Sequence, residues 1–411
     1  MDWKLLILLL TTLEHGYRLL LQIVHYRSAN NPTPANVADV YDAETYARWK
    51  RYNAEKNRLN ILSTIASYAV TMLLLCLNAH AAVAALAPAG TYVQLIVVLA
   101  FQTVVETVAG LGFSWVDTMV IEQKYGFNRS TVKTFVMDQV RGFILEMVLS
   151  VGLMSLLAWL HGIMQDGVIL LFAGAVFCLT LVISFLYGPV FSRLGNKCVP
   201  LEEGELKEKL MALLTKHGYQ VKAIEVMDAS RRTTKLNAYF TGFGKLKSIV
   251  LFDNLVNAMS TDEICAVFAH ELGHGLNKDV LKQQIMNFGN LLLMAVTVWL
   301  CVRDAALHEA FGFAAGTVNY GFAFILLGIG LGLVQPLSGM VMNAYSRFAE
   351  FRADRQAVRE GYGEYLAAGL KKLAKENFAH LSPAPLLVVL EYSHPPLSQR
   401  IEAIDKALRD R

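Results

Sequence analysis

Residues 59–105 read LNILSTIASYAVTMLLLCLNAHAAVAALAPAGTYVQLIVVLAFQTVV, without one Asp, Glu, Lys or Arg. A helix needs roughly 20 consecutive apolar residues to cross the hydrocarbon of a bilayer. The stretch is long enough for two crossings, and Pro88 and Gly90 interrupt it. It therefore predicts two antiparallel membrane helices, 60–88 and 92–118. Residues 310–346 are equally free of charged side chains. Over the whole chain 55% of residues are hydrophobic and 17% charged, against about 25% charge in a soluble domain. The net charge of +3 is too small to suggest a nucleic-acid partner.

The same test along the 411 residues yields seven spans: 3–25, 60–88, 92–118, 142–162, 167–192, 285–303 and 317–341. The first has the run Leu5–Leu13, which looks like the core of a signal peptide. Only Lys4 precedes it, however, and it continues through Glu14, His15 and Arg18 into Leu19–Val24 without a small-residue cleavage pattern. A retained span with polar residues facing protein fits better. Arg27, Arg48, Lys50, Arg51, Lys56 and Arg58 cluster in 26–58, and Lys124, Arg129, Lys133 and Arg141 in 119–141. The short links at 89–91 and 163–166 have no basic residue. The positive-inside rule then places 26–58, 119–141, 193–284 and the C-terminal tail in the cytoplasm. The expected division is spans one to five in 1–192, a cytoplasmic domain in 193–284, spans six and seven in 285–345, and cytoplasmic helices in 346–411.

Glu106, Glu122, Asp138 and Glu146 fall within or beside the third and fourth spans. Carboxylates facing lipid are costly. They read either as structural polar pairs or as the lining of a hydrated cavity. Gly328, Gly330 and Gly332 in the last span allow close helix packing. The cysteines Cys76, Cys178, Cys198, Cys265 and Cys301 have neither metal-ligand nor disulfide spacing, and are expected to be buried small side chains.

The segment 193–284 changes period. Residues 201–217 suit an amphipathic helix, and Tyr219–Met227, Leu236–Thr241 and Ser248–Phe252 suit short strands. Ser260 and Glu263 have capping-box spacing, so a helix should start near 260. It leads into His270-Glu271-Leu272-Gly273-His274, the H-E-x-x-H pattern. On a helix His270 and His274 share one face and can bind one metal, with Glu271 beside them to activate a water. A lone five-residue pattern also arises by accident, and His270 would then be an ordinary core histidine.

Such a site needs a third protein ligand. Glu350 fits best, on a helix expected directly after the last span, with Asp354 one turn later to orient a ligand histidine. The bland reading of both is a solvated helix face. His394, between Tyr392 and Pro395-Pro396, could donate to a developing oxyanion or could be a surface histidine.

The whole pattern resembles the type I CAAX prenyl proteases. The resemblance rests on Glu122–Asn128 (EQKYGFN), Asn237-Ala238-Tyr239, His270–His274, the Glu350/Asp354 segment, and His394-Pro395 through Arg400-Ile401. It implies an α-helical polytopic membrane protein, with seven transmembrane helices around a chamber and a cytoplasmic gluzincin-like α+β zinc protease domain. It implies one Zn2+ per chain on His270, His274 and Glu350, with Glu271 as general base and Asp354 supporting a ligand. His394 would contact substrate or transition state. Asn237, Ala238 and Tyr239 would hold the peptide backbone, and Arg400 would brace or contact the bound substrate.

The implied reaction is removal of the last three residues of a prenylated CAAX protein, with a second upstream cleavage in some relatives. The implied setting is the endoplasmic reticulum membrane with the site facing the cytoplasm, or the inner membrane of a bacterium. Membrane lipid is the other expected partner, and oligomeric state is left open. The rival readings are a membrane quality-control metalloprotease and a noncatalytic scaffold or transporter. Seven spans and the Asn128 segment weigh against the first rival, and retention of both histidines, Glu271 and Glu350 against the second.

Overall fold

The computed structural model describes residues 2–187, 197–219, 223–241 and 248–411. The chain starts with α1 (Trp3–Ser28), capped by the Asp2 carboxylate on the Leu5 N–H. Then α2 (Ala43–Cys76) runs from a cytoplasm-type polar sequence into the uncharged stretch without a break. Its first turns hold Ala, Glu, Arg and Lys, good helix formers with no stop signal, and Asp42 caps the start. The span expected over 60–88 is thus the second half of a longer helix. It ends at Cys76, because Asn78 takes a left-handed conformation (φ 53°), and the short α3 (Ala79–Ala85) follows.

Next comes α4 (Thr91–Trp115), which continues as a π-helical stretch over Val116–Glu122. Then α5 (Val132–Met164) and α6 (Val168–Tyr187) follow. In the second half of the chain α10 (Asp279–Val302) and α12 (Tyr320–Arg359) are joined through the one-turn α11 (Ala305–Glu309). Among the described residues six helices are long and apolar enough to cross a membrane: α1, α2, α4 with its π extension, α5, α10 and α12. The expected span 167–192 coincides with α6, whose apolar stretch Leu170–Ile183 is shorter than those six. Residues 188–192 of that expectation lie outside the described residues. The boundaries expected at 284/285 and 345/346 fall inside α10 and α12, since neither helix stops where its hydropathy changes.

Between these helix groups sits the α+β part. β1 (Cys198–Pro200), α7 (Glu205–Lys216), β2 (Ala223–Met227), β3 (Ala238–Thr241) and β4 (Ser248–Phe252) precede α8 (Asp253–Ala258) and α9 (Thr261–Leu276). The sheet order is β1-β2-β4-β3, so β3 is an edge strand, antiparallel to β4 with Ala238 opposite Leu251. β1, three residues ending in a proline, is too short to announce itself by alternation, and the sequence reading missed it. The first residues of the strand expected at Tyr219–Met227 include 220–222, which lie outside the described residues. The capping box is present: Ser260 accepts from the Glu263 N–H and Glu263 from the Ser260 N–H. Leu210, Leu214, Ile249, Leu255, Cys265 and Phe268 form the core beneath α7 and α9.

The chain ends with α13 (Gly363–Glu376), α14 (Pro385–Leu390) and α15 (Leu397–Arg409), which pack around α9 and α12. At the opposite end of the membrane helices a second core joins Leu95, Leu99, Phe311, Phe313 and Phe322. Only Cys265 and Cys301 are buried as expected; Cys76 and Cys178 are exposed on the apolar helices, where a small thiol is tolerated. The acidic residues are mostly paired. Glu122 accepts from Tyr52 and Lys56 and ion-pairs with Lys235, Asp138 meets Arg232, and Glu106 accepts from Gln102.

Candidate metal centre

Helices α9 and α12 pack face to face, and this contact assembles the site. The ring nitrogens of His270 and His274 and a carboxylate oxygen of Glu350 all lie within 4.8 Å of one another. Gly273 makes the approach possible, because a Cβ there would stand 2.9 Å from the Ala353 Cα. The continuous helix matters as much. Glu350 lies on the same rod as the membrane stretch, not on a new helix after it as expected.

Each histidine is oriented by a carboxylate. Asp354 Oδ1 lies 2.8 Å from His270 Nδ1, and Asp279 Oδ2 lies 3.0 Å from His274 Nδ1. A carboxylate only accepts, so each Nδ1 holds a proton and each Nε2 is the ring atom left to ligate a metal once it is deprotonated. The two Nε2 atoms converge to 3.2 Å, and face Glu350 at 3.5 and 3.3 Å. Glu350 Oε2 is buried and accepts no hydrogen bond among the described residues, its neighbour there being the Arg400 guanidinium at ion-pair distance. Two imidazole Nε2 atoms and a buried carboxylate, all turned to one point, form an N2O donor set for a divalent metal. Burial would lower the His274 pKa, but the Glu350, Glu271 and Asp279 carboxylates outweigh it and push it up to about 9.

Asp279 was not singled out in the sequence. Its signal is weak: it stands five residues beyond His274, across a helix break. Lys278 takes a left-handed conformation (φ 55°), which turns the chain so that α10 begins with Asp279 beside α9. The Tyr345 hydroxyl (2.9 Å) and the Arg352 guanidinium also donate to Asp279, which is 2% exposed.

Arg400, from α15, donates through Nε and Nη2 to Asp354 at 2.9 and 2.6 Å and reaches Glu350 at 3.2 Å. Its donors are directed at the protein's own carboxylates, which suits bracing better than substrate contact. His394 is largely exposed, with Nδ1 3.0 Å from Glu350 Oε1. Its loop is tied to α12 by Arg347, which donates to the Val388 and Tyr392 carbonyls at 2.7 Å each. Glu271 is half-buried with no hydrogen-bond partner among the described residues, and with Ala238 it lines one small apolar hollow. The backbone of Ala238 and Tyr239 runs along the open edge strand, and exposed Asn237 immediately precedes it. Contacts thus join His270, His274, Glu350, Asp354, His394 and Arg400, and Ala238 of the edge strand shares a hollow with Glu271.

The family model "CAAX prenyl protease N-terminal, five membrane helices" matches residues 22–197, and "Peptidase family M48" matches residues 200–408. The chain is 32% identical over 404 residues to CAAX prenyl protease 1 homolog of Oryza sativa, spanning 94% of this chain and 93% of that one. It is 28% identical to CAAX prenyl protease 1 of Saccharomyces cerevisiae, spanning 98% and 95%. The crystal structure of S. mikatae Ste24p superposes with a TM-score of 0.91 at 27% identity, covering 98% of this chain and 99% of that one. Fold and site together define a polytopic membrane metalloprotease. The chain belongs to the CAAX prenyl protease family, within the M48 peptidases.

Proposed function

We propose that this CAAX prenyl metalloprotease holds one zinc ion on His270, His274 and Glu350 and removes the C-terminal tripeptide from prenylated CAAX proteins. The observation that carries the proposal is the convergence of two carboxylate-oriented histidines and Glu350 within 4.8 Å. When bound, the metal supplies Lewis acidity to a water and to the scissile carbonyl. Glu271, without a hydrogen-bond partner among the described residues, takes a proton from the attacking water and returns it to the departing amine. His394 swings from Glu350 to donate to the developing oxyanion. The substrate backbone adds to the open edge of the sheet at Asn237–Tyr239, setting the bond to be cut beside Glu271. Asp354, Asp279 and Arg400 hold the ligands in place.

The helices α1, α2, α4, α5, α6, α10 and α12 contact one another in that cyclic order, and α12 also crosses to α4 and α5. We take α6 as the seventh span, closing a ring. Only 6% of the membrane window of α2 is buried, and no window exceeds 28%. Helices that expose two faces while packing side to side suit a ring with a hollow centre, which would receive the prenyl chain. The basic residues of 26–58 and 119–141 favour a cytoplasmic metal end. The endoplasmic reticulum, or the inner membrane of a bacterium, is the corresponding membrane.

The test is tripeptide release from matched prenylated and unprenylated CAAX peptides, with and without metal removal. Prenyl-dependent cleavage restored by zinc, and lost in Glu271→Gln that still binds zinc, is the expected result. Equal cleavage of both peptides would move the reading to general membrane proteolysis.

A further inference from the structure

Far from the metal, between α1, α10 and α12, lies a partly open cavity of about 520 Å³. It falls within the roughly 300–1,000 Å³ of small-molecule sites. Leu6, Leu10, Leu300 and Ile329 form its apolar walls, and Arg303 and Asp304 stand at one end. The position is fixed by α10, which begins beside His274 and ends at Val302. The helix from Asp279 to Thr297 puts even the cavity's nearer, apolar end about 27 Å from the candidate metal ligands. An isoprenoid on the cleaved cysteine does not reach so far, so the substrate's own lipid is not its occupant.

The membrane boundary crosses at this level. Trp3, Tyr92, Trp159 and Trp299 all stand at the helix ends on this side. The ends are at one height, because Lys4 binds the Cys76 carbonyl, His161 binds Tyr320, and His308 binds the Cys301 carbonyl. Such an aromatic row marks the headgroup region.

Neither charge at the cavity mouth is ion-paired among the described residues. The Arg303 guanidinium lies 4.1 Å over the Trp299 ring, and among the described residues no carboxylate is within ion-pair distance of it. Asp304 caps the Ala306 N–H through Oδ1 and has no basic partner among them. An apolar slot ending in an adjacent cation and anion, at headgroup depth, complements a zwitterionic phospholipid. We propose that this cavity binds one phosphatidylethanolamine from the leaflet opposite the metal site, with its phosphate on Arg303, its ammonium on Asp304 and an acyl chain among Leu6, Leu10, Leu300 and Ile329. A fork of guanidinium donors suits phosphate, and a carboxylate accepts from a primary ammonium.

The test uses the full-length protein, delipidated in detergent and titrated with dioleoyl phosphatidylethanolamine, dioleoyl phosphatidylglycerol or dioleoylglycerol. Bound lipid is counted by native mass spectrometry. One equivalent of phosphatidylethanolamine should bind, about fivefold or more tighter than phosphatidylglycerol, with dioleoylglycerol weakest. Arg303→Gln should weaken both phospholipids. Asp304→Asn should weaken phosphatidylethanolamine alone, and Asn caps a helix as well as Asp, so the fold is kept. Equal binding of all three lipids, or an unchanged preference in both variants, would overturn the assignment.

Discussion

Asp279 shows how much of a metal site rests on residues that never touch the metal. It fixes the His274 tautomer while holding Tyr345 and Arg352 on the neighbouring rod. Asp279→Asn keeps the volume but loses the acceptor-only carboxylate. It should lower zinc affinity roughly 10–100-fold, measured by competition with a chromophoric chelator. Arg400→Lys replaces a fork that spans Asp354 and Glu350 by a single point charge. Two buried carboxylates then share too few donors. The expected loss is about 3 kcal/mol of stability, read as a lowered unfolding midpoint, and wild-type stability in this variant would refute the bracing role.

At the scale of elements, two glycines set the distances between helices. Gly273→Ala drives a Cβ into the α12 backbone at Ala353, where no side chain can rotate away. It should cost about 1–3 kcal/mol and part the histidines from Glu350, so zinc is lost together with stability. Gly289→Ala, with nothing within 4 Å of the added carbon, is the control and should leave zinc content unchanged. In the membrane, a Cβ on Gly332 would meet the Glu14 Cγ at 2.5 Å. Glu14 is buried and ion-paired with His15 and Arg18. Gly332→Ala should therefore destabilise the α1–α12 contact. A double-mutant cycle with Glu14→Ala should recover part of the loss, whereas strict additivity would argue against this packing.

The whole molecule is tied end to end by a cluster around His380. Its Nε2 lies 2.9 Å from the Ser28 hydroxyl, its Nδ1 accepts from the Ser382 N–H, and its ring meets Trp49 edge-on. Burial, with the charge of His25 added, pushes its pKa down to about 4. The unfolded chain therefore binds the proton first, near pH 6.5. The stability contributed by neutral His380 is whole above pH 6.5 and drains away as the pH falls towards 4. The loss is at most about 3 kcal/mol. His380→Gln should flatten the fall of the unfolding temperature between pH 7 and 4. An unchanged pH profile would show that the titration is carried elsewhere.

What the sequence determined by itself is what depends on local composition and spacing. Charge-free runs such as 59–105 oblige the backbone to satisfy its hydrogen bonds within helices, and Ser260 with Glu263 announces the helix that carries His270 and His274. Position after the last span singled out Glu350 and Asp354, and the family resemblance strengthened that choice, since four-residue spacing alone does not distinguish a ligand pair from a solvated face. Tertiary structure alone decided the rest. Helix ends ignored hydropathy, as in α2 and α12, because helix formation follows propensity and capping while burial follows polarity. Asp279 became a support because Lys278 turns the chain. Arg400 became a brace because α15 packs against α12, a contact between distant segments that no local pattern encodes.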